Sequence, residues 1–495
     1  MKNIIRIISF ALVLVLCITA LIGCATEKEE KETSNTTVRT YSDAELRAME
    51  KDNLPDWVSE KYQGRTIKTI SFQENFELDT NGNGEITGDV VHDLVYKRNM
   101  SVEERLGITI ENYKSSAPDI DVYASELNVM GNSGSDEYDI IYTMGNSAIR
   151  SNCEYTYFSD TSQYEYLSLD SPWWNKKAMI EQSFDGKTFP YLVGDITITT
   201  YTKAGAIFVN SQEYNNRYSD GLDGLYDLVI DGKWTIDVLA KKAMESYTDV
   251  NGDGVDVDDN GDFIGFGMGS YVRLKAMEYG FDVKRYSRDD DGYVKIDYDL
   301  ERASVAVDKL IELLYENPGV YYDDGSYLYA QSFARGDILF YENQLGNMMS
   351  GYMRGMEEDF GVLPTPKLDE NQKEYTTEIQ ESSTFVVIPI TCKDTEFTSI
   401  VIEALCAESY RTVVYPFLEE CMKIQYVRES RAGQIIDIIL ESATKDYFGL
   451  HETIKLGRLI QSTVRMEVNM IASNYASLVG PDEQTLKELK EKYFN

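Results

Sequence analysis

The chain has 495 residues, 43% of them hydrophobic, and carries 84 Asp and Glu against 47 Lys and Arg for a formal charge of -37. So acidic a surface excludes a nucleic-acid partner, because neutralising phosphates requires clustered Lys and Arg. It suits a solvated protein that stays monomeric, and the length exceeds what one hydrophobic core serves, so two domains or lobes are expected.

At the start of the chain Lys2 and Arg6 precede an apolar run from Ile7 to Ile22 that ends in Leu21-Ile22-Gly23-Cys24. A membrane span needs about 20 residues. This run is shorter and has the charged and apolar regions of a secretory signal, so residues 1–23 are expected to direct export. Leu-Ile-Gly-Cys resembles the lipobox of bacterial lipoproteins, which implies cleavage before Cys24, a lipid anchor on Cys24 and attachment to the outer face of the cell membrane. Losing Lys2 and Arg6 with the signal takes the charge from -37 to -39. Residues 24–56 then form a tether and short helix. Ala25 to Thr40 is too poor in apolar residues to offset its ordering entropy, Ser42-Asp43-Ala44-Glu45 is a capping-box start, and Pro55 is a stop.

From Thr66 the pattern alternates. Thr66–Phe72 reads as a strand, Asp89–Leu106 as a helix with Val91, Val95, Val102 and Leu106 on one face, Ile108–Asn112 as a strand, Asp121–Met130 as a helix and Tyr138–Thr143 as a strand. This β-α-β-α-β rhythm predicts a parallel sheet, with ligands at the carboxyl ends of its strands, near Met144-Gly145-Asn146-Ser147. An aromatic stretch follows, from Tyr155 to Trp173 and Trp174, whose rings suit either the apolar face of a sugar or a loop packed on the core.

A second α/β unit begins with an apolar strand at Ala204–Asn210. It continues with a helix capped by Thr235 and running to about Tyr247, a strand at Phe263–Met268 and a helix at Glu301–Tyr315 whose inner side carries Val305, Ile311 and Leu314. A helix at Tyr327–Arg335 and strands at Ile338–Tyr341 and Phe360–Leu363 complete it. One more buried strand is expected at Thr384–Ile390, and helices from there to Lys492. Trp234 is expected to pack the start of its helix. Cys153, Cys392, Cys406 and Cys421 fit no zinc spacing and are expected to be buried or unpaired.

Taken in order, Cys24, Tyr138-Asp139-Ile140-Ile141, Ser171-Pro172-Trp173-Trp174-Asn175, Gly232-Lys233-Trp234-Thr235, Ser332-Phe333-Ala334-Arg335-Gly336 and Asp359-Phe360-Gly361-Val362-Leu363-Pro364-Thr365-Pro366-Lys367 resemble the family 1 extracellular solute-binding lipoproteins of carbohydrate ABC importers. The resemblance runs from about Lys68 to the C-terminus. It implies an α/β, two-lobed periplasmic-binding-protein fold of type II, with lobe 1 formed by 57–200 plus 363–410 and lobe 2 by 201–362 plus 411–495. The crossings would lie near Asp195–Tyr201 and Asp359–Leu363. On that layout Asn146, Trp173, Trp174, Asp195, Tyr201, Tyr341, Arg354 and Glu381 face a cleft that closes over a carbohydrate, which is then delivered to the permease subunits.

The sequence lacks the Gly-x-Ser-x-Gly, His-Glu-x-x-His and phosphate-cradling glycine motifs. Its two histidines, His92 and His451, are far apart in helical patterns. A binding protein rather than an enzyme is therefore expected. A glycosidase, which needs only two carboxylates, and a receptor of the same fold for a peptide or other non-sugar solute remain as alternatives. No cofactor is required. Asp249-Val250-Asn251-Gly252-Asp253-Gly254 begins like a calcium loop, with Asp258 or Asp262 to supply the missing oxygen, so either a structural calcium or a solvated acidic turn is expected. Asp79-Thr80-Asn81-Gly82-Asn83-Gly84 reads as a plain turn.

Overall fold

The computed structural model describes residues 42–72, 78–80, 86, 88–257, 261–269, 271–323, 329–427, 431–451 and 453–494, and the chain from Ala44 onward forms one compact unit. The signal segment, Cys24, the tether through Thr40 and Asp258 lie outside the described residues. Among the described residues no helix is long and apolar enough to cross a membrane. Helix α1 (Asp43–Met49) follows the capping sequence and ends before Pro55.

The expected β-α-β-α-β rhythm forms the first sheet. Strand β1 (Thr66–Ser71) leads to α2 (Val90–Leu106), then β2 (Thr109–Lys114), α3 (Ile120–Ser133) and β3 (Ile140–Met144). The Asp89 carboxylate accepts from the backbone N–H of Val91 and His92 and so starts α2. Gly107 ends that helix at φ 69°, a left-handed conformation that side chains disfavour. Strand β1 pairs in parallel with both β2 and β3. All five residues of β3 are buried, as expected of a strand covered on both faces. Asn146 lies in the first turn of α4 (Gly145–Arg150), so the chain leaves β3 straight into a helix, and α5 (Lys176–Gln182) follows the two tryptophans.

The second sheet opens with β4 (Gly205–Asn210). Helix α6 (Ile236–Ser246), capped by Thr235, leads into β5 (Ile264–Gly269) and α7 (Tyr271–Gly280). A hairpin of β6 (Tyr286–Arg288) and β7 (Val294–Ile296) comes before α8 (Leu300–Ile311), β8 (Val320–Asp323), β9 (Ile338–Gln344) and β10 (Phe360–Leu363). The spatial order is β10-β4-β9-β5-β8. The buried face of α8 carries Ala303, Ala306, Val307, Leu310 and Ile311, whereas Val305 is exposed.

The second crossing lies further along the chain than the sequence predicted. β10 is antiparallel to β4 over Phe360–Leu363, so Asp359–Leu363 belongs inside the second sheet. The segment after it stays there too, with Trp234 Nε1 donating to the Pro364 carbonyl at 2.9 Å. Only after β11 (Thr377–Glu378) does the chain cross, entering β12 (Thr384–Val387), which pairs antiparallel with β3. A third crossing runs along α9 (Thr395–Ser409), buried in the first core. It continues as π-helical turns whose Val413, Val414 and Phe417 join the second core. Helix α10 (Ala432–Glu441) then leads to β13 (Ala443–Thr444), which pairs with β11, and α11 (Ile471–Tyr493) closes the chain.

One buried carboxylate ties the first two crossings together. Asp79, fully buried, accepts from the backbone N–H of Ile198 (2.8 Å) and Thr199 (3.2 Å) and from the hydroxyls of Thr199 (3.1 Å) and Thr384 (2.6 Å). Of the expected plain turn, Asp79 and Thr80 are described, residues 81–84 lie outside the described residues, and the Asp79 carboxylate points inward to the hinge. Arg98, also buried, donates to the carbonyls of Asp79 and Ile196 and to Ser409 Oγ at the end of α9, which brings in the third crossing. Asp79→Ala strands several buried donors and should lower the unfolding free energy in a urea titration by about 3 kcal/mol. A loss below about 1 kcal/mol, the value of an ordinary hydrogen bond, would show that the hinge is held elsewhere.

Candidate ligand site at the lobe junction

The carboxyl end of β3 meets the second crossing directly. Gly145 N–H donates to the Ser383 carbonyl (3.2 Å) and Asn146 N–H to that of Glu381 (3.1 Å). A Cβ at Gly145 would lie 3.0 Å from both the Glu381 carbonyl and Leu450 Cδ1, so a larger residue would push on the second crossing. Asn146 is buried, and its side-chain oxygen accepts from Ser147 N–H.

Three cations gather at this place. Lys275, on α7, donates to the Glu381 carboxylate and to the Gly449 carbonyl, and its Nζ stands 4.0 Å from Glu378 Oε1. Arg458 Nη2 is 3.7 Å from the other oxygen of Glu381. Lys445 Nζ donates to the Gln380 carbonyl (2.9 Å) and Ser383 Oγ (2.8 Å). Burial alone would raise the Glu381 carboxyl, but Lys275 and the cations beyond it hold it below the usual range. Burial pushes Lys445 down to about 7 and raises Glu378, whose Oε1 has no hydrogen-bond partner. At the end of β9, Gln344 bonds Gln380, and Leu345 N–H donates to the Ala204 carbonyl at the first crossing. Residues from both sheets and two crossings therefore converge on a few polar side chains.

No family model matches this sequence, and no curated protein matches it either. Solved structures do. A solute-binding protein of an ABC transporter from Thermotoga lettingae, bound with α-D-tagatose, superposes with a TM-score of 0.52 at 13% identity, covering 86% of this chain and 100% of that one. UgpB from Mycobacterium tuberculosis, in complex with glycerophosphocholine, gives 0.53 at 11% identity over 86% of this chain and 99% of its own. An ABC transporter associated binding protein from B. animalis subsp. lactis Bl-04, with β-1,6-galactobiose, gives 0.51 at 13% identity over 86% and 98%.

The fold is that of the ABC transporter solute-binding proteins.

Within the solute-binding fold the predicted site residues separate into two groups. Asn146 and Glu381 come together at the junction, and Asp195 and Tyr201 face each other on the first crossing, where Tyr201 O–H donates to Asp195 Oδ1 at 2.6 Å. The expected cleft positions of Trp173, Trp174 and Tyr341 are corrected. The two tryptophans, 1% and 6% exposed, sit in the first core, and both indole N–H groups donate to buried Glu403 on α9, at 3.2 and 2.8 Å. Asp195 N–H donates to the Trp173 carbonyl, and Gly194 lies so close behind it that a Cβ there would meet that carbonyl at 2.6 Å. The pair thus supports the hinge from behind. Tyr341, 4% exposed, is stacked with Phe208 and Tyr329 inside the second core. Arg354 lies away from Glu381, on the rim of a separate cavity of about 280 Å³ with Met348, Met353 and Phe360 in its wall, and its Nη1 is 3.7 Å from Asp89 Oδ2.

The residues that sequence reasoning missed are Lys275, Lys445, Arg458, Gln344 and Gln380. Nothing in their local patterns marks them, since each takes its place from a long-range contact.

In the acidic loop the side chains hold their own backbone. Asp249 accepts from Gly252 and Gly254 N–H, Asn251 from Asp253 N–H, and Asp262 from Val250 and Asp256 N–H. Among the described residues no three His, Cys, Asp or Glu gather to hold a metal. The four cysteines are unpaired, as expected.

Burial raises the Asp195 carboxyl to about 7, although the Tyr201 hydrogen bond pulls the other way. An unfolded Asp titrates near 4, so the folded chain holds this proton more tightly. The stability so gained is complete below about pH 4 and is gone once the pH has risen through about 7. Raising the pH from about 5 to 8 should therefore lower the calorimetric Tm of the wild type more than that of Asp195→Asn. Equal slopes would show that Asp195 is ionised throughout.

Proposed function

We propose that the chain is an exported solute receptor that captures a carbohydrate, of oligosaccharide size, between its lobes and hands it to the permease of an ABC importer. The observation that carries this reading is the lobe junction itself, set in a solute-binding fold. Glu381, Asn146 and Asp195 from the first lobe and crossings, with Lys275, Arg458 and Gln344 from the second, offer charged and neutral groups to sugar hydroxyls. Tagatose and galactobiose bound in proteins of this fold support a sugar. On this reading Cys24 carries the lipid that keeps the receptor at the membrane, and the protein releases its ligand unchanged.

A charged, non-sugar solute is the second reading. It is favoured by the three cations at the junction, by the burial of the tryptophans that would have stacked on sugar rings, and by glycerophosphocholine in one neighbour.

A thermal-shift screen of mono- and oligosaccharides, peptides and glycerophosphodiesters, with product analysis of every hit, separates these readings. A sugar at about 100 times its Kd should add roughly 2.7 kcal/mol and be recovered intact, with the gain lost in Glu381→Gln. A cleaved sugar would make the protein an enzyme. A response confined to phosphodiesters or peptides would replace the substrate class.

We further propose a structural calcium in the loop of Asp249, Asn251, Asp253, Asp258 and Asp262, whose all-oxygen donor set suits a hard cation. EDTA should then lower the Tm, and added calcium restore it, since a ligand of the native state stabilises by mass action. An unchanged Tm would leave an acidic turn.

A further inference from the structure

Helix α1 (Asp43–Met49) buries none of its seven residues, and its apolar Leu46 and Met49 are 49% and 53% exposed. A helix this short is unstable by itself in water, and without a packed apolar face its order must come from a few polar and ring contacts. Arg47, Glu50 and Asp52 supply such contacts at the third crossing. The half-buried Arg47 lays its guanidinium 4.5 Å over the Tyr410 ring and 5.6 Å over that of Tyr415. The Glu50 carbonyl accepts from Arg411 Nη1 at 3.2 Å. The Asp52 carboxylate, 6% exposed, accepts from Arg105 Nη1 of α2 at 2.7 Å and stands 3.7 Å from Arg411 Nη2.

This is the place where the chain passes from one core to the other. Tyr410 opens the π-helical turns of the third crossing, and such turns are where helices bend. Arg98 holds Ser409, the residue before it, so Arg98 and Arg47 grip adjoining residues of one crossing. The Tyr410 ring lies 6.2 Å from that of Trp173, whose carbonyl accepts from Asp195 N–H at 2.9 Å. Contact therefore runs from Arg47 through Tyr410 and Trp173 to the first crossing. The charge of Arg47 reaches there as well. Burial raises the Asp195 carboxyl and the Tyr201 hydroxyl, and Arg47 acts on both in the opposite direction.

We propose that residues 44–52 are a strap on the hinge, docked through Arg47 and Asp52, whose release loosens the first and third crossings together. Ordering this segment costs conformational entropy that so few contacts offset only narrowly, which places the strap among the elements that open locally well before the molecule unfolds. A strap that grips the third crossing better in one hinge position than in another shifts the hinge by that difference, and hinge position shifts the strap by the same amount. On the proposed anchoring at Cys24 the strap lies in the chain between the lipid and the lobes, so attachment and hinge position are linked through it. The strap itself depends neither on that anchoring nor on what the lobe junction binds.

Hydrogen exchange of the full chain, read segment by segment, tests it. Arg47→Ala removes both ring contacts and should speed exchange about fivefold in 44–52, 194–201 and 410–417, the loss expected of cation–ring contacts at a partly exposed site. Asp52→Asn leaves Arg47 in place, frees the other end of the strap and should quicken the same three segments. Leu46→Ala, on the exposed side of α1, should change none of them, and β1 should keep its wild-type rate in every variant. Faster exchange confined to 44–52 would make α1 a frayed end with no hold on the hinge. Unchanged exchange in 44–52 would show that Arg47 does not dock it, and a quickened β1 would mean general destabilisation. Each of these three results overturns the proposal.

Discussion

A single buried carboxylate, Asp79, sets the terms for the rest of the molecule. Among the described residues the two α/β units share no sheet, so the crossings themselves must be held in register. Asp79 does this by accepting from Ile198, Thr199 and Thr384, and the Arg98 guanidinium extends the same knot to Ile196 and Ser409. Burial raises the Asp79 carboxyl and lowers the Arg98 guanidinium, so both ends of the knot sit where water cannot replace a lost partner. The three crossings meet at one polar point between the two cores.

The charge network at the lobe junction follows from that geometry. Once the crossings are fixed, Glu378 and Glu381 are forced inward between the sheets, and a buried charge requires a partner. Lys275, Arg458 and Lys445 supply it. Replacing such pairs by apolar residues usually costs nothing or even stabilises a protein, so stability alone gives little reason for charges here. A solute entering the junction would compete for the same hydrogen bonds that hold the two lobes against each other, which couples binding to lobe position.

The tryptophans show how composition misleads. Trp173 and Trp174 stand together in a polar, aromatic stretch, and a ring beside polar residues suits a sugar as well as a core. Glu403 decides between these uses. It lies on α9, far along the chain, and its carboxylate needs donors in an apolar place, which the two indole N–H groups provide. Burial still pushes this carboxyl up to about 7. The pair supports the hinge turn at Gly194 and Asp195 from behind.

The sequence by itself determined the elements and their kind. Period and capping residues placed α2 between Asp89 and Gly107 and placed β3, β4 and β10 within a residue or two, because these depend on side-chain spacing and on backbone groups a few residues away. The alternation of strand and helix was enough to indicate a parallel sheet and to put Asn146 just past the carboxyl end of its third strand. Only the tertiary structure decided that β10 stays in the second sheet, that the crossing falls after β11, that Asp79 points into the hinge, and that Lys275 meets Glu381. Each of these is a contact between residues distant in the chain, and its energy depends on burial that no local pattern records.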